Sequence, residues 1–291
     1  MADADSEVTQ SRVAEVGGLT VHRALPQRGR RTVGAWCFLD HFGPAEVGPS
    51  RTMTVGPHPH MGLHTVTWLL EGEVLHTDSL GNEQLIRPGE LNLMTAGHGI
   101  AHAEDGRRQR DGTMEGIQFW VAQPEATRHG ASSFAHHAEL PHVDVHHGEA
   151  IVLLGEFEGA RSPASVDSAL VGLDISARGL LDLPLLPRFE HAVVVLRGEL
   201  RHGGSVAGPN ELVYFRSGRD QISLDLGGGA RIVLLGGEPF ESEIVMWWNF
   251  VGRDRQEMQD AVAAWSGRSA RFGPVVTTLP RIEAPHPFWV N

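Results

Sequence analysis

The chain has 291 residues, 41% of them hydrophobic and 21% charged, an ordinary composition for a water-soluble globular protein. Its formal net charge is −12, and all 24 basic residues are arginines. Such a chain repels phosphate backbones, and no basic patch offsets this, so direct nucleic-acid binding is not expected. The single Cys37 excludes an internal disulfide framework, suits a reducing cytoplasm and reads as a small buried hydrophobe.

The first eleven residues, Met1 to Ser11, are acidic and polar, unlike a signal peptide. No run approaches about 18 uninterrupted apolar residues, so no membrane span and a cytoplasmic location are expected. Turn-rich sequence at Phe42 to Pro49 reads as a loop. Val66 to Leu70 and Val74 to Thr77 then read as two strands joined by a turn at Glu71-Gly72-Glu73. Ser79 to Asn82 and Pro88-Gly89-Glu90 are further turns, the second leading into Leu91 to Met94. Turn signals at roughly ten-residue spacing predict an all-β sandwich or barrel. Glu139 to Glu149, with His142, His146 and His147, reads as a solvated linker between two halves. Arg253 to Ser266 is the one long helix expected, with Met258, Ala261, Val262 and Trp265 on its apolar face.

The segment Val66 to Val74 (VTWLLEGEV) is repeated as Ala192 to Leu200 (AVVVLRGEL), and Pro88 to Leu91 returns as Pro209 to Leu212. Two β-barrels of one origin follow, joined near residues 140–150. The shared glycines and prolines serve the same turns.

The chemistry concentrates in the first copy. His58-Pro59-His60 and His102-Ala103-Glu104 are two i, i+2 pairs beside strand-like segments. Residues two apart on a strand share a face, so each pair can aim at one ion at about 2.1 Å. One such pair is common in surface loops; two convergent pairs point to a metal site. The second copy is an internal control. Alignment on the Gly-Glu turn sets Pro184 and Leu186 against His58 and His60. Alignment on the Pro-x-Glu-Leu turn sets Ser223 and Asp225 against His102 and Glu104. The barrel signals survive without imidazoles, so the histidines are not required by the shared fold. A mixed nitrogen and oxygen set without thiolate suits Fe(II), Mn(II), Ni(II), Co(II) or Cu(II). Four protein ligands could also close a tetrahedral site around zinc.

These residues resemble the pirin family of the bicupin superfamily. The likeness runs through HPHMGLHTVTWLLEG, LIRPGELNLMTAGHGIAHAE and LLGGEPFESEIV. It implies two tandem cupin (jelly-roll) barrels with a short C-terminal helix. Residues 1–145 would be the metal-binding cupin and residues 146–291 a cupin without ligands. It further implies one divalent metal, Fe(II) first, held by His58, His60, His102 and Glu104. His64 and His98 stand where relatives often carry an acidic residue and an arginine, which bears on substrate preference. His64 shares parity with His58 and His60, whereas His76, in the next strand, reads as a hydrogen-bonded barrel histidine. The activity implied is cleavage of a flavonol such as quercetin by dioxygen, with Glu104 also taking the proton of the flavonol 3-hydroxyl. The alternative implied is an iron-dependent regulator that binds a transcription factor or a metabolic enzyme.

Overall fold

A computed structural model describes residues 6–48 and 51–289. Strands dominate, and one α-helix, Arg255–Ser266, is present among the described residues. Most strands make antiparallel hairpins, as the turn glycines require. Gly72, for example, takes φ +91°, a conformation that disfavours any side chain, at the turn after the strand Leu63–Glu71.

The chain forms two compact units. One comprises residues 14–21, 42–138 and 241–289; the other comprises residues 6–13, 22–41 and 139–240. These compact units interleave along the chain, whereas the expectation above was of contiguous halves, 1–145 and 146–291. Turn spacing reports local hairpins but not which sheet edge receives a terminal segment. Thus Ser6–Gln10, which gave no strand signal, pairs antiparallel with Glu211–Phe215 in the second unit. The segment around the helix belongs instead to the first.

The strand order repeats between the copies. A four-stranded sheet runs Thr54–His60, Ile100–Asp105, Val74–Asp78, Glu83–Ile86 in the first. The same order recurs as Leu180–Pro184, Gln221–Asp225, Leu200–His202, Ser205–Ala207 in the second. Each lies across an apolar core from strands of a seven-stranded sheet. In the second unit Leu181, Leu183, Ile222 and Leu224 meet Leu173, Val193, Val213 and Ile232. The exposed-buried alternation of Leu180–Pro184 and Gln221–Asp225 is that of strands with one wet face. Each buried leucine or isoleucine contributes roughly 1.5–3 kcal/mol.

Two loop expectations are corrected. Phe42 to Glu46 continues the strand Trp36–Glu46, and Phe42 is buried. Pro49, the last residue of that expected loop, lies outside the described residues. Glu139 to Glu149 is not a linker: His142–Val145 and Gly148–Leu154 form a hairpin. His147 takes φ +56° at its turn, and His142 pairs with Glu149 at 2.9 Å. The alternation in HVDV was hidden by its polar composition. Cys37 is buried as expected.

The helix is capped by Asp254, whose side chain accepts from the Glu257 N–H. Its face of Met258, Ala261, Val262 and Trp265 packs on Met61, Ala101, Phe250 and Phe272. Met61 follows His60 directly, so this packing buttresses the strand that carries the histidines.

Candidate metal centre

Thr54–His60 is the edge of its sheet, which is where Pro57 and Pro59 are tolerated, because proline has no N–H to offer a second neighbour. Its register with Ile100–Asp105 sets His58 across from His102 and His60 across from Ile100. Beyond that the ladder bulges: the two-residue step from His102 to Glu104 is matched by three residues, from His58 to Val55. Gly56 sits in this bulge, where a Cβ would collide with the Pro280 carbonyl oxygen. Glycine is the residue that lets the C-terminal segment close over the strand.

The structure brings His58, His60 and His102 together, each offering a nitrogen within 4.8 Å of the others. Their exposures are 6%, 1% and 2%, and the ring centroids lie 4.3–5.1 Å apart. Burial lowers the His58 pKa to about 4, against the Gly56 carbonyl, which raises it. His60 and His102 are held well below the ordinary value, by burial and then by neighbouring imidazoles. All three are neutral at pH 7 and therefore able to ligate.

Hydrogen bonds decide which nitrogen each ring presents. His76 Nε2 lies 3.2 Å from Asp78 Oδ2. Burial opposes the charge on Asp78, but hydrogen bonds from His76 and Asn82 outweigh it and hold the carboxyl below its usual range. A carboxylate only accepts, so His76 Nε2 carries the proton and its Nδ1 accepts. His102 Nδ1, 3.3 Å from His76 Nδ1, is then the donor. In the same way His60 Nδ1 donates to the Asn249 carbonyl at 3.1 Å, and His58 Nδ1 to that of Gly56 at 2.9 Å. Each Nε2 is left as a bare lone pair. Those of His60 and His102 stand 3.1 Å apart, where two lone pairs repel unless a cation shares them. Two nitrogens bound to one ion at about 2.1 Å and a right angle would be about 3.0 Å apart. The residues fit a transition-metal ion.

Glu104 is 7% exposed and stands two residues beyond His102, across from His76 on the neighbouring strand. Burial pushes its carboxyl up to about 7. It does not belong to the compact trio of nitrogens, from which the bulge separates it along the strand.

The other sequence candidates take different places. His64 lies on Leu63–Glu71, beyond the turn at Gly62, so its parity with His58 is broken; its Nδ1 bonds Thr95 Oγ1 at 2.9 Å. His98 is exposed in the turn before Ile100, and its carbonyl accepts from Arg271 Nε. His142, His146 and His147 join no metal-type cluster among the described residues. His76 is hydrogen-bonded as expected, but its service to His102 through Asp78 was not foreseen. The i, i+2 spacing of His76 and Asp78, the same as that of the ligand pairs, was the available signal. Phe134 stacks on His76 at 4.4 Å and Trp120 meets His60 edge-on at 5.2 Å. Neither was legible in sequence.

The second copy corrects the alignment. Ser223 pairs with Asp182, and Pro184 with Gln221. Setting Pro184 against His58 and Ser223 against His102 therefore conflicts by two residues. Pro184, Ser223 and Asp225 face outward, while Leu181, Leu183, Ile222 and Leu224 fill the interior.

Residues 18–121 match the Pirin domain family and residues 170–273 the pirin C-terminal cupin domain. A Pseudomonas aeruginosa protein named provisionally as a quercetin 2,3-dioxygenase is 47% identical over 283 residues, 96% of this chain and 90% of that protein. A pirin-like protein of Caulobacter vibrioides is 36% identical, over 89% of this chain and 92% of its own length. A crystal structure of quercetin 2,3-dioxygenase from Acinetobacter baumannii superposes with a TM-score of 0.94 at 40% identity, covering 98% of this chain and 96% of that one. No helix of the described residues is long and apolar enough to cross a membrane. With two cupin units in one repeated strand order and a buried three-histidine centre in the first, the chain belongs to the pirin family of bicupins.

Proposed function

We propose that this chain is a metal-dependent dioxygenase that cleaves flavonols such as quercetin with molecular oxygen. The observation that carries the reading is the convergence of three neutral, buried imidazoles, with the buried carboxyl of Glu104 two residues beyond one of them. His58, His60 and His102 hold a divalent ion, Fe(II) first, and Glu104 completes the set. A metal bound there supplies Lewis acidity, which makes a flavonol 3-hydroxyl easier to deprotonate.

The chain's own residues do the rest. The Asn249 and Gly56 carbonyls and the His76–Asp78 pair keep the three Nε2 atoms free of protons. Glu104 receives the 3-hydroxyl proton as the general base of the site. Trp120 and Phe134 pack the histidines and keep bulk water from them. Dioxygen then adds across the two ring carbons flanking C3, both of its oxygen atoms stay in the opened ester product, and C3 leaves as carbon monoxide. The names of the Pseudomonas and Acinetobacter relatives support this substrate class.

The test follows the flavonol absorption band with metal-loaded protein under air and then under nitrogen, using a flavonol and the matching 3-deoxy flavone. Bleaching is expected only with oxygen and only with the 3-hydroxyl present. Bleaching under nitrogen, equal loss of both substrates, or no loss with any flavonol overturns the proposal.

A further inference from the structure

The wall of the first barrel that faces the metal centre carries a row of polar side chains that do not hold the ion. Cross-strand register sets His136 beside Asn92, Asn92 beside Thr67, and Thr67 beside Gln118. The row runs across four neighbouring strands of the seven-stranded sheet. It points inward. Leu69, of the same parity as Thr67, belongs to the apolar core with Val74 and Ile86. One step along the same strands in the other direction, Trp120 meets His60 and Phe134 stacks on His76. The row therefore lies between the apolar floor and the histidines, about 7 Å along the strands from Trp120 and Phe134.

The second barrel shows that the fold does not require this row. There the equivalent strands set Val8 beside Val213, Val213 beside Val193, and Val193 beside Leu234. The repeated turns independently align Thr67 with Val193 and Asn92 with Val213. All four aliphatic side chains pack with the second core. Four polar residues in one barrel thus stand where the other has four aliphatic ones, and burying them costs free energy that valine would not.

Their mutual hydrogen bonds use only part of what they offer. His136 Nδ1 donates to Asn92 Oδ1 at 2.8 Å, and Thr67 Oγ1 donates to Gln118 Oε1 at 3.0 Å. Gln118 Nε2 is sealed off and unbonded. Asn92 Nδ2 also has no partner among the described residues, but it is not one of the sealed nitrogens. An amide N–H and the lone pairs of the Thr67 hydroxyl therefore belong to directly paired residues, a donor next to an acceptor. The row reaches the rim at His136, which is half-buried on the edge strand Ser133–His137, whereas Asn92 and Thr67 are buried.

We propose that Asn92 and Thr67 form the subsite that selects the substrate by a ring hydroxyl remote from the metal. A hydroxyl both accepts and donates, so it takes the Asn92 N–H and donates to Thr67 Oγ1. The inference rests on the flavonol reading above and names what distinguishes one flavonol from another. A site built to hydrogen-bond a substrate hydroxyl rejects the analogue that lacks it, because its own polar groups are then left unpaired.

The experiment measures binding to the metal-loaded full chain under nitrogen, where oxygen-dependent turnover cannot run. Quercetin and 3-hydroxyflavone are compared by the shift of their absorption bands. Both carry the 3-hydroxyl, and only quercetin has hydroxyls on its outer rings. Quercetin should bind about tenfold more tightly, the difference one buried hydrogen bond makes. Asn92→Val, which copies the second barrel, should remove that preference by weakening quercetin alone, with the metal retained. Thr67→Val keeps the side-chain shape and should reduce the preference as well. Equal binding of the two flavonols to the unaltered protein, or a preference that survives both substitutions, would overturn the subsite. The first of these is read on the unaltered chain, so the proposal is tested even if a variant misfolds. Binding of neither flavonol would instead overturn the flavonol reading itself, and the subsite with it.

Discussion

The two barrels share a strand order and differ in what they place inside it. In the second, Leu181, Leu183, Ile222 and Leu224 face the core, and the polar residues of those strands face water. In the first, the corresponding strands turn His58, His60, His102 and Glu104 into the interior. The fold needs only the turns and an inward apolar stripe, so the histidines are an addition to it. They also weaken it, because each buried polar group costs free energy that a leucine would not. The first barrel is thus the copy that carries the buried polar cluster, and an ion bound by the three imidazoles would offset the loss.

The largest expected effect tests that asymmetry directly. His102→Ala should abolish tight metal binding, whereas Ser223→Ala in the second barrel should leave about one equivalent per chain. Elemental analysis after dialysis reads both, and an ion retained in His102→Ala breaks the comparison. Next, Glu104→Gln keeps the shape and one oxygen donor but removes the basicity. Turnover of a flavonol should fall by about 10²–10⁴-fold in metal-loaded protein. Turnover at the parent rate would show that Glu104 is not the base.

Acid should then weaken the metal-free protein through both barrels, because His58, with a folded pKa of about 4, and His60 and His102, held well below the ordinary value, act in the first as His191 does in the second. His191 has a folded pKa of about 4 against roughly 6.5 when unfolded, so on acidification the unfolded chain binds the proton first. Its contribution is complete above about pH 6.5 and is lost as the pH falls toward 4, on the order of 3 kcal/mol in all. Glu104, raised to about 7 in the metal-free protein, has the opposite sign: its contribution is complete below about pH 4.5 and is lost as the pH rises through 7. Denaturant unfolding of the metal-free protein at pH 7 and pH 4.5 should therefore show a loss that shrinks in His191→Phe. An unchanged loss would remove His191 from the account.

The smallest effect sharpens the first barrel alone. His76→Ala deletes the acceptor for His102 Nδ1, freeing that ring to rotate or change tautomer. Metal affinity should drop by about 10–100-fold, as for other outer hydrogen-bond partners of metal ligands. Titration calorimetry reads it, and unchanged affinity would mean that packing alone orients His102.

Sequence by itself determined the repeated strand-and-turn order, the helix and the three histidines, because each is written in local terms. Period-two alternation, positive-φ glycines and i, i+2 pairs need no knowledge of distant residues. It also showed which copy would carry the histidines, since one set of turns came with imidazoles and the other without. What only the tertiary structure decided is long-range. Ser6–Gln10 pairs with a strand some two hundred residues away, and the C-terminal segment places the Asn249 carbonyl on His60. The bulge that sets Glu104 apart from the three nitrogens, and the facing of Leu181 and Leu183 into the core of the second copy, are matters of register. Register follows from side chains packed across the barrel, and a one-residue slip reverses every face of a strand. The sequence of one strand alone cannot show which face its partners will bury.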